Sequence, residues 1–125
     1  MRTKITLELV VHDDKVEDIR TLVPLPLMET GSIEGYHNNV IKGEKATILA
    51  FSSTNSAFAE QLQEILLAAE KISDIFCDKH IVCYLIRTSA SEPVGHFVLN
   101  PVLLNQMAKT GIEINLIIED KFKNV

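Results

Sequence analysis

The stretch Gly95-His96-Phe97-Val98-Leu99-Asn100-Pro101-Val102-Leu103-Leu104-Asn105-Gln106-Met107-Ala108-Lys109-Thr110-Gly111-Ile112-Glu113-Ile114-Asn115-Leu116-Ile117-Ile118 reads as strand, capped helix, strand. Asn100 suits an N-cap, because its side chain can accept from a free amide of the first turn. Pro101 fits the first helical position, where its missing N–H is no loss. Gly111 supplies the left-handed residue that ends a helix. Ile112, Ile114, Leu116 and Ile118 then alternate with Glu113 and Asn115, the period of a half-buried strand. A strand is also expected over 95–99.

Upstream, Thr3, Ile5, Leu7, Leu9 and Val11 alternate with Lys4, Thr6 and Glu8, giving a strand over 3–11 with one wet face. Val16, Ile19 and Leu22 have helical spacing, and Asp14 with Glu17 resembles a capping box. A short helix over about 14–22, stopped by Pro24, follows. The segment 24–39 reads as irregular at its start, where Pro24, Pro26 and Gly31 interrupt any pattern. Paired strands over 34–41 and 46–52 flank a Lys42-Gly43-Glu44-Lys45 turn. The longest helix spans about 56–76. Phe58, Leu62, Ile65, Leu66, Ala69, Ile72 and Phe76 form its apolar stripe; Glu60, Gln61, Gln63, Glu64, Glu70, Lys71 and Asp74 form its polar face. Residues 80–88 are apolar on both alternations, as in a central strand covered on both sides. The predicted fold is α+β: a ferredoxin-like β-α-β-β-α-β order followed by β-α-β, with an antiparallel or mixed sheet and helices mostly on one face. One domain over residues 1–125 is expected, with a frayed tail at about 120–125.

Net charge is −5. Residues 1–40 carry four basic and seven acidic side chains, a net of −3, and residues 41–80 four and six, a net of −2. An acidic surface repels phosphate backbones and attracts a basic protein, so nucleic acid is not an expected partner. No apolar run approaches the roughly 18 residues of a membrane span, and no export signal is visible, so a cytoplasmic protein without membrane contact is expected. Cys77 and Cys83 read as buried, reduced thiols.

No motif announces chemistry. Cys77, His80 and Cys83 are three residues apart, but on a strand His80 and Cys83 point to opposite faces, which argues against zinc. His12, His37, His80 and His96 are scattered, and no nucleophile stands in an elbow motif. Ser89 and Ser91 read as turn residues. Asp13–Asp14 and Glu119–Asp120 fall at element ends. No catalytic residue, metal ligand or cofactor is expected. Glu29, Glu34, Tyr36 and His37 are the candidate partner-binding residues, an aromatic giving contact area and the acids orientation; Tyr36 facing the core is the equal alternative. Val10 and Ile117, apolar on otherwise polar strand faces, leave monomer or homodimer open.

Phe51-Ser52-Ser53, the long amphipathic helix, and Phe97-Val98-Leu99-Asn100-Pro101 … Leu104 … Met107-Ala108-Lys109-Thr110-Gly111-Ile112 … Ile114 together resemble the bacterial family catalogued as domain of unknown function 4279, over about residues 5–118. Members of that family usually have tryptophan just before the serines, where Phe51 stands here. The resemblance brings no activity. Small acidic bacterial proteins of this shape resemble immunity proteins of toxin and contact-dependent growth inhibition systems. This implies a toxin inhibitor acting by protein–protein interaction, covering the active site of a cognate basic toxin domain. The alternative is a small-molecule-binding or regulatory module, for which a concave apolar pocket with converging polar groups is expected.

Overall fold

β1 (Arg2–His12) carries the alternation expected of it: Ile5, Leu7, Leu9 and Val11 are wholly buried on one face, and Lys4, Thr6, Glu8 and Val10 turn to the other. The fold is that of a computed structural model, described for residues 2–37, 42–75, 77–91 and 97–121, the side chains of 34–44 excepted. A turn of 3-10 helix (Asp13–Lys15) leads into α1 (Val16–Leu22); β2 (Leu27–His37), β3 (Lys42–Ser52), α2 (Phe58–Lys71), β4 (Asp78–Arg87), α3 (Pro101–Thr110) and β5 (Glu113–Asp120) follow. The protein is α+β, with a five-stranded mixed sheet and three α-helices among the described residues.

The strand order is β2-β3-β1-β4-β5. β1 pairs antiparallel with β3 (Leu7 opposite Phe51) and with β4 (Ile5 opposite Cys83), and β2 pairs antiparallel with β3. β5 runs parallel to β4, so the chain between them has to return along the sheet, which α3 does. The main core gathers Ile19 and Val23 around α1, Leu62, Ile65, Leu66 and Ala69 from α2, and Leu103 from α3 against the buried row of β1, with Leu49, Phe51, Ile81 and Cys83. Each fully buried Leu or Ile contributes about 1.5–3 kcal/mol relative to exposure. No helix among the described residues is long and apolar enough to cross a membrane.

The capped helix follows the sequence signals: Asn100 Oδ1 accepts from the Leu103 amide at 3.0 Å, Pro101 opens α3, and Gly111 closes it at φ 62°. Elsewhere the structure corrects the reading. Phe97, Val98 and Leu99 are irregular rather than strand, and Gly95 and His96 lie outside the described residues. The segment expected to be irregular from Pro24 onward is so only at 24–26. β2 begins at Leu27, directly after Pro26, because an edge strand needs no donor before its first residue, and Gly31 sits in open space. The strands expected over 34–41 and 46–52 are therefore β2 and β3, and the turn expected at 42–45 is strand; the connecting residues 38–41 lie outside the described residues.

The Asp14–Glu17 capping box does not form. The residue before α1 is Lys15, no side chain caps the helix, and Asp13 instead accepts from the Thr47 hydroxyl at 2.6 Å. α2 is shorter than 56–76, and Phe76 lies outside the described residues. Its N-cap, Ala57, has no side-chain bond; the Thr54 amide and hydroxyl both donate to Glu64 Oε1 at 2.8 Å, and Asn55 Nδ2 donates to Glu64 Oε2. β4 is second from the edge and β1 is central. Val10 is buried against Ala46 and Ile48 rather than exposed. Asp120 is no frayed tail: Arg87 donates to both its oxygens at 3.0 and 3.1 Å, and 122–125 lie outside the described residues.

Candidate functional site

Five segments converge on one recess. α2 gives Phe58 and Leu62, β4 gives Cys83 and Leu85, α3 gives Met107, β5 gives Ile114 and Leu116, and the irregular segment before α3 gives Phe97 and Leu99. The volume is about 380 Å³. Among the described residues, every lining side chain is apolar except for the Cys83 thiol. The rings of Phe58 and Phe97 meet at 4.6 Å between centroids, tilted by 52°, within the range favoured by aromatic pairs. This contact ties the irregular 97–99 segment to the start of α2. The Asn100 cap then sets the direction in which α3 leaves, placing Leu103 in the core and Met107 at the cleft. Glu70 and Lys109, 3.5 Å apart, bridge α2 and α3.

Apolar exposure concentrates beside this cleft. Leu116 and Ile118, on one face of β5, are 63% and 64% exposed, and Val98 and Val102 are similarly bare. Single exposed apolar residues need no explanation, but several along one edge mark a contact surface.

The two cysteines are buried and their thiols unpaired. Burial pushes both up to about 11, with Lys79 lowering and Asp78 raising Cys77 to lesser degrees. At neutral pH both are therefore thiols, which are poor nucleophiles and poor metal ligands. Cys83 faces the core, while His80 faces the other side of the sheet, its Nε2 2.8 Å from Glu8 Oε2.

A second, polar cleft of about 340 Å³ lies on the sheet face away from the core. Arg2, Lys4, Glu8, Glu29, Tyr84, Glu119 and Lys121 are among its walls. The nearly buried Thr6 hydroxyl, one of its lining groups, has no partner among the described residues.

The proposed partner-binding residues all fall on β2, but not as one cluster. Glu29 stands opposite Ala50 and lines the polar cleft; Tyr36 and His37 stand opposite Glu44 and Lys42. Six residues of β3 separate Ala50 from Glu44, roughly 20 Å of strand. The side chains of Glu34, Tyr36 and His37 lie outside the described residues. Sequence reasoning missed the apolar cleft. Phe58 and Leu62 have the same spacing whether they line a cleft or a core, and Phe97 and Leu99 alternate as a strand would. The signal available was the apolar Phe97–Leu99 run placed directly before a strong helix start.

Scans against protein-family models, curated proteins and solved structures give no match to this chain.

Proposed function

We propose that this chain is a non-catalytic binding protein whose working site is the apolar cleft, where it holds one apolar group. The observation that carries the reading is the lining: among the described residues, nine apolar or thiol side chains without a carboxylate, imidazole or ammonium. Such a wall offers burial and no proton transfer, and the neutral Cys83 thiol offers no attack. A volume of about 380 Å³ falls at the small end of ligand sites. For the first six elements we read a ferredoxin-like split arrangement, supported by the all-antiparallel order β2-β3-β1-β4, with α3 and β5 added beside β4. The test is a thermal-shift and calorimetric titration with medium-chain alcohols and fatty acids. The expected result is a raised Tm and micromolar binding, lost in Leu62→Lys if it folds and weakened at least about tenfold in the rim variant Leu116→Asp. No response to any apolar probe overturns the reading.

A second reading keeps the immunity function in the cytoplasm, against a basic toxin domain. It is favoured by the exposed corner of Asp13, Asp14, Glu17 and Asp18, four carboxylates against Lys15 and Arg20. Such a corner steers a basic partner at low salt. Co-purification with the product of the adjoining reading frame tests it. An association rate lowered about tenfold by Asp14→Lys with Asp18→Lys at low salt supports it; a metabolic neighbour that does not bind removes it.

A further inference from the structure

The two edges of the sheet differ in kind. β2 follows Pro24 and Pro26, and its pairing slips between Leu27 and Glu29 and again between Ile33, Tyr36 and His37; breaks of this sort hinder the addition of a further strand. β5 has none of them. It contains neither proline nor glycine, and it pairs without a slip from His80 opposite Glu113 to Arg87 opposite Asp120. Its middle, Leu116-Ile117-Ile118, is 63%, 38% and 64% exposed. A straight apolar edge of this kind is a template for another strand.

The sequence of β5 also specifies which strand. The Lys121 amide donates to the Arg87 carbonyl at 2.8 Å, continuing the ladder with β4. By strand alternation the amides of Asn115, Ile117 and Glu119 face β4, and those of Leu116, Ile118 and Asp120 face outward. An antiparallel copy of β5 can therefore bond only in registers that match outward-facing residues with one another. Centring the two-fold axis on Leu116 sets Glu113 against Glu119, a like-charge pair. Centring it on Ile118 sets Ile117 against Glu119 as well as Leu116 against Asp120, where centring it on Ile117 leaves one apolar–carboxylate pair, Ile114 against Asp120. Centring it on Ile117 sets Leu116 against Ile118 on the helix face, Ile117 against itself on the other, Asn115 against Glu119, and Glu113 against Lys121. Asp120, opposite Ile114 in that register, already has its charge held by Arg87.

We propose that the chain forms a two-fold homodimer by antiparallel pairing of β5 with β5 about Ile117. The sheets of the two copies then run into one another. Ile118 of the second copy lies beside Leu116 at the rim of the apolar cleft, so each copy narrows the mouth of the other's cleft.

The experiment uses the full chain and cysteine trapping at the axis. In this register the two Ile117 Cα atoms form a non-hydrogen-bonded pair about 4.5 Å apart, within the span of a disulfide. The two Glu119 positions are offset by four residues, about 13 Å, and cannot be joined. Wild type is expected to sediment as a dimer at micromolar concentration. Ile117→Cys is expected to give a disulfide dimer under diamide, and Glu119→Cys and wild type none, since Cys77 and Cys83 are buried. Ile118→Lys, an exposed substitution that leaves circular dichroism unchanged, is expected to weaken association at least about tenfold. A monomer at every concentration up to about 100 µM, a dimer in which Ile117→Cys does not cross-link, or equal cross-linking at both positions overturns the proposal. None of these readouts involves an apolar probe, so the cleft reading and the dimer fail separately.

Discussion

Gln61 is the side chain on which the start of β1 and the loop before α2 both depend, and replacing it with leucine measures that role. It is only 5% exposed. Its Oε1 accepts from the Thr3 hydroxyl at 2.6 Å, and its Nε2 donates to the Thr3 carbonyl at 3.1 Å and to the Asn55 carbonyl at 2.9 Å. Three bonds at roughly 0.5–1.5 kcal/mol each amount to about 3 kcal/mol. The leucine side chain recovers about 1 kcal/mol by burying more apolar surface. Gln61→Leu should therefore cost about 2 kcal/mol, near 8 °C in Tm for a domain of this size. Urea unfolding followed by circular dichroism at 222 nm, with an unchanged m value, gives the number directly. Gln61→Glu keeps the acceptor but turns a buried charge toward two carbonyl oxygens, and should cost more than leucine does. Gln63→Leu, at an exposed position of the same helix, should lie within about 0.5 kcal/mol of wild type. A Gln61→Leu protein as stable as wild type, or a Gln63→Leu protein equally weakened, refutes the clamp.

Asn100→Ala should destabilise by about 1 kcal/mol through loss of the bond to the Leu103 amide, and Asn100→Asp should retain most of it; thermal melts of the pair decide this. Stability should also fall in alkali. Both thiols are held above the ordinary value of 9.0, near 11, so the folded state retains protons that the unfolded chain releases. The contribution is complete below pH 9 and is lost as pH rises through about 11; unfolding titrations between pH 8 and 11.5 should show this decline, and Cys83→Ala should flatten it.

Legibility in the sequence tracked how local each cause is. Asn100, Pro101 and Gly111 act within one turn of themselves, so their roles could be read without knowing the fold. The alternation of β1 was equally plain, because one face of that strand meets a single continuous core. β2 was obscured by prolines and a glycine that forbid a central strand but not an edge strand, and position in the sheet is decided by β3, not by β2 itself. Gln61 was assigned to a polar face on its chemistry, yet its burial depends on Thr3, 58 residues away. The apolar cleft depends on five segments meeting, and none of its residues differs from a core residue in spacing. Of the four residues put forward as a binding patch, Glu29 lies far along the strand from Tyr36 and His37, a separation that periodicity cannot reveal.

The central place of β1 governs how the molecule can be made. Both of its neighbours come later in the chain: β3 starts at Lys42 and β4 ends at Arg87. At roughly 5–20 residues per second, the ribosome takes several seconds to supply β4 after finishing β1. Through that interval the row Ile5, Leu7, Leu9 and Val11 has at most one neighbouring strand, and α2, which packs over it, is complete only once Lys71 has been made. Nascent chains arrested between β3 and α2 should therefore bind holdase chaperones strongly and release them once α2 and then β4, up to Arg87, have emerged.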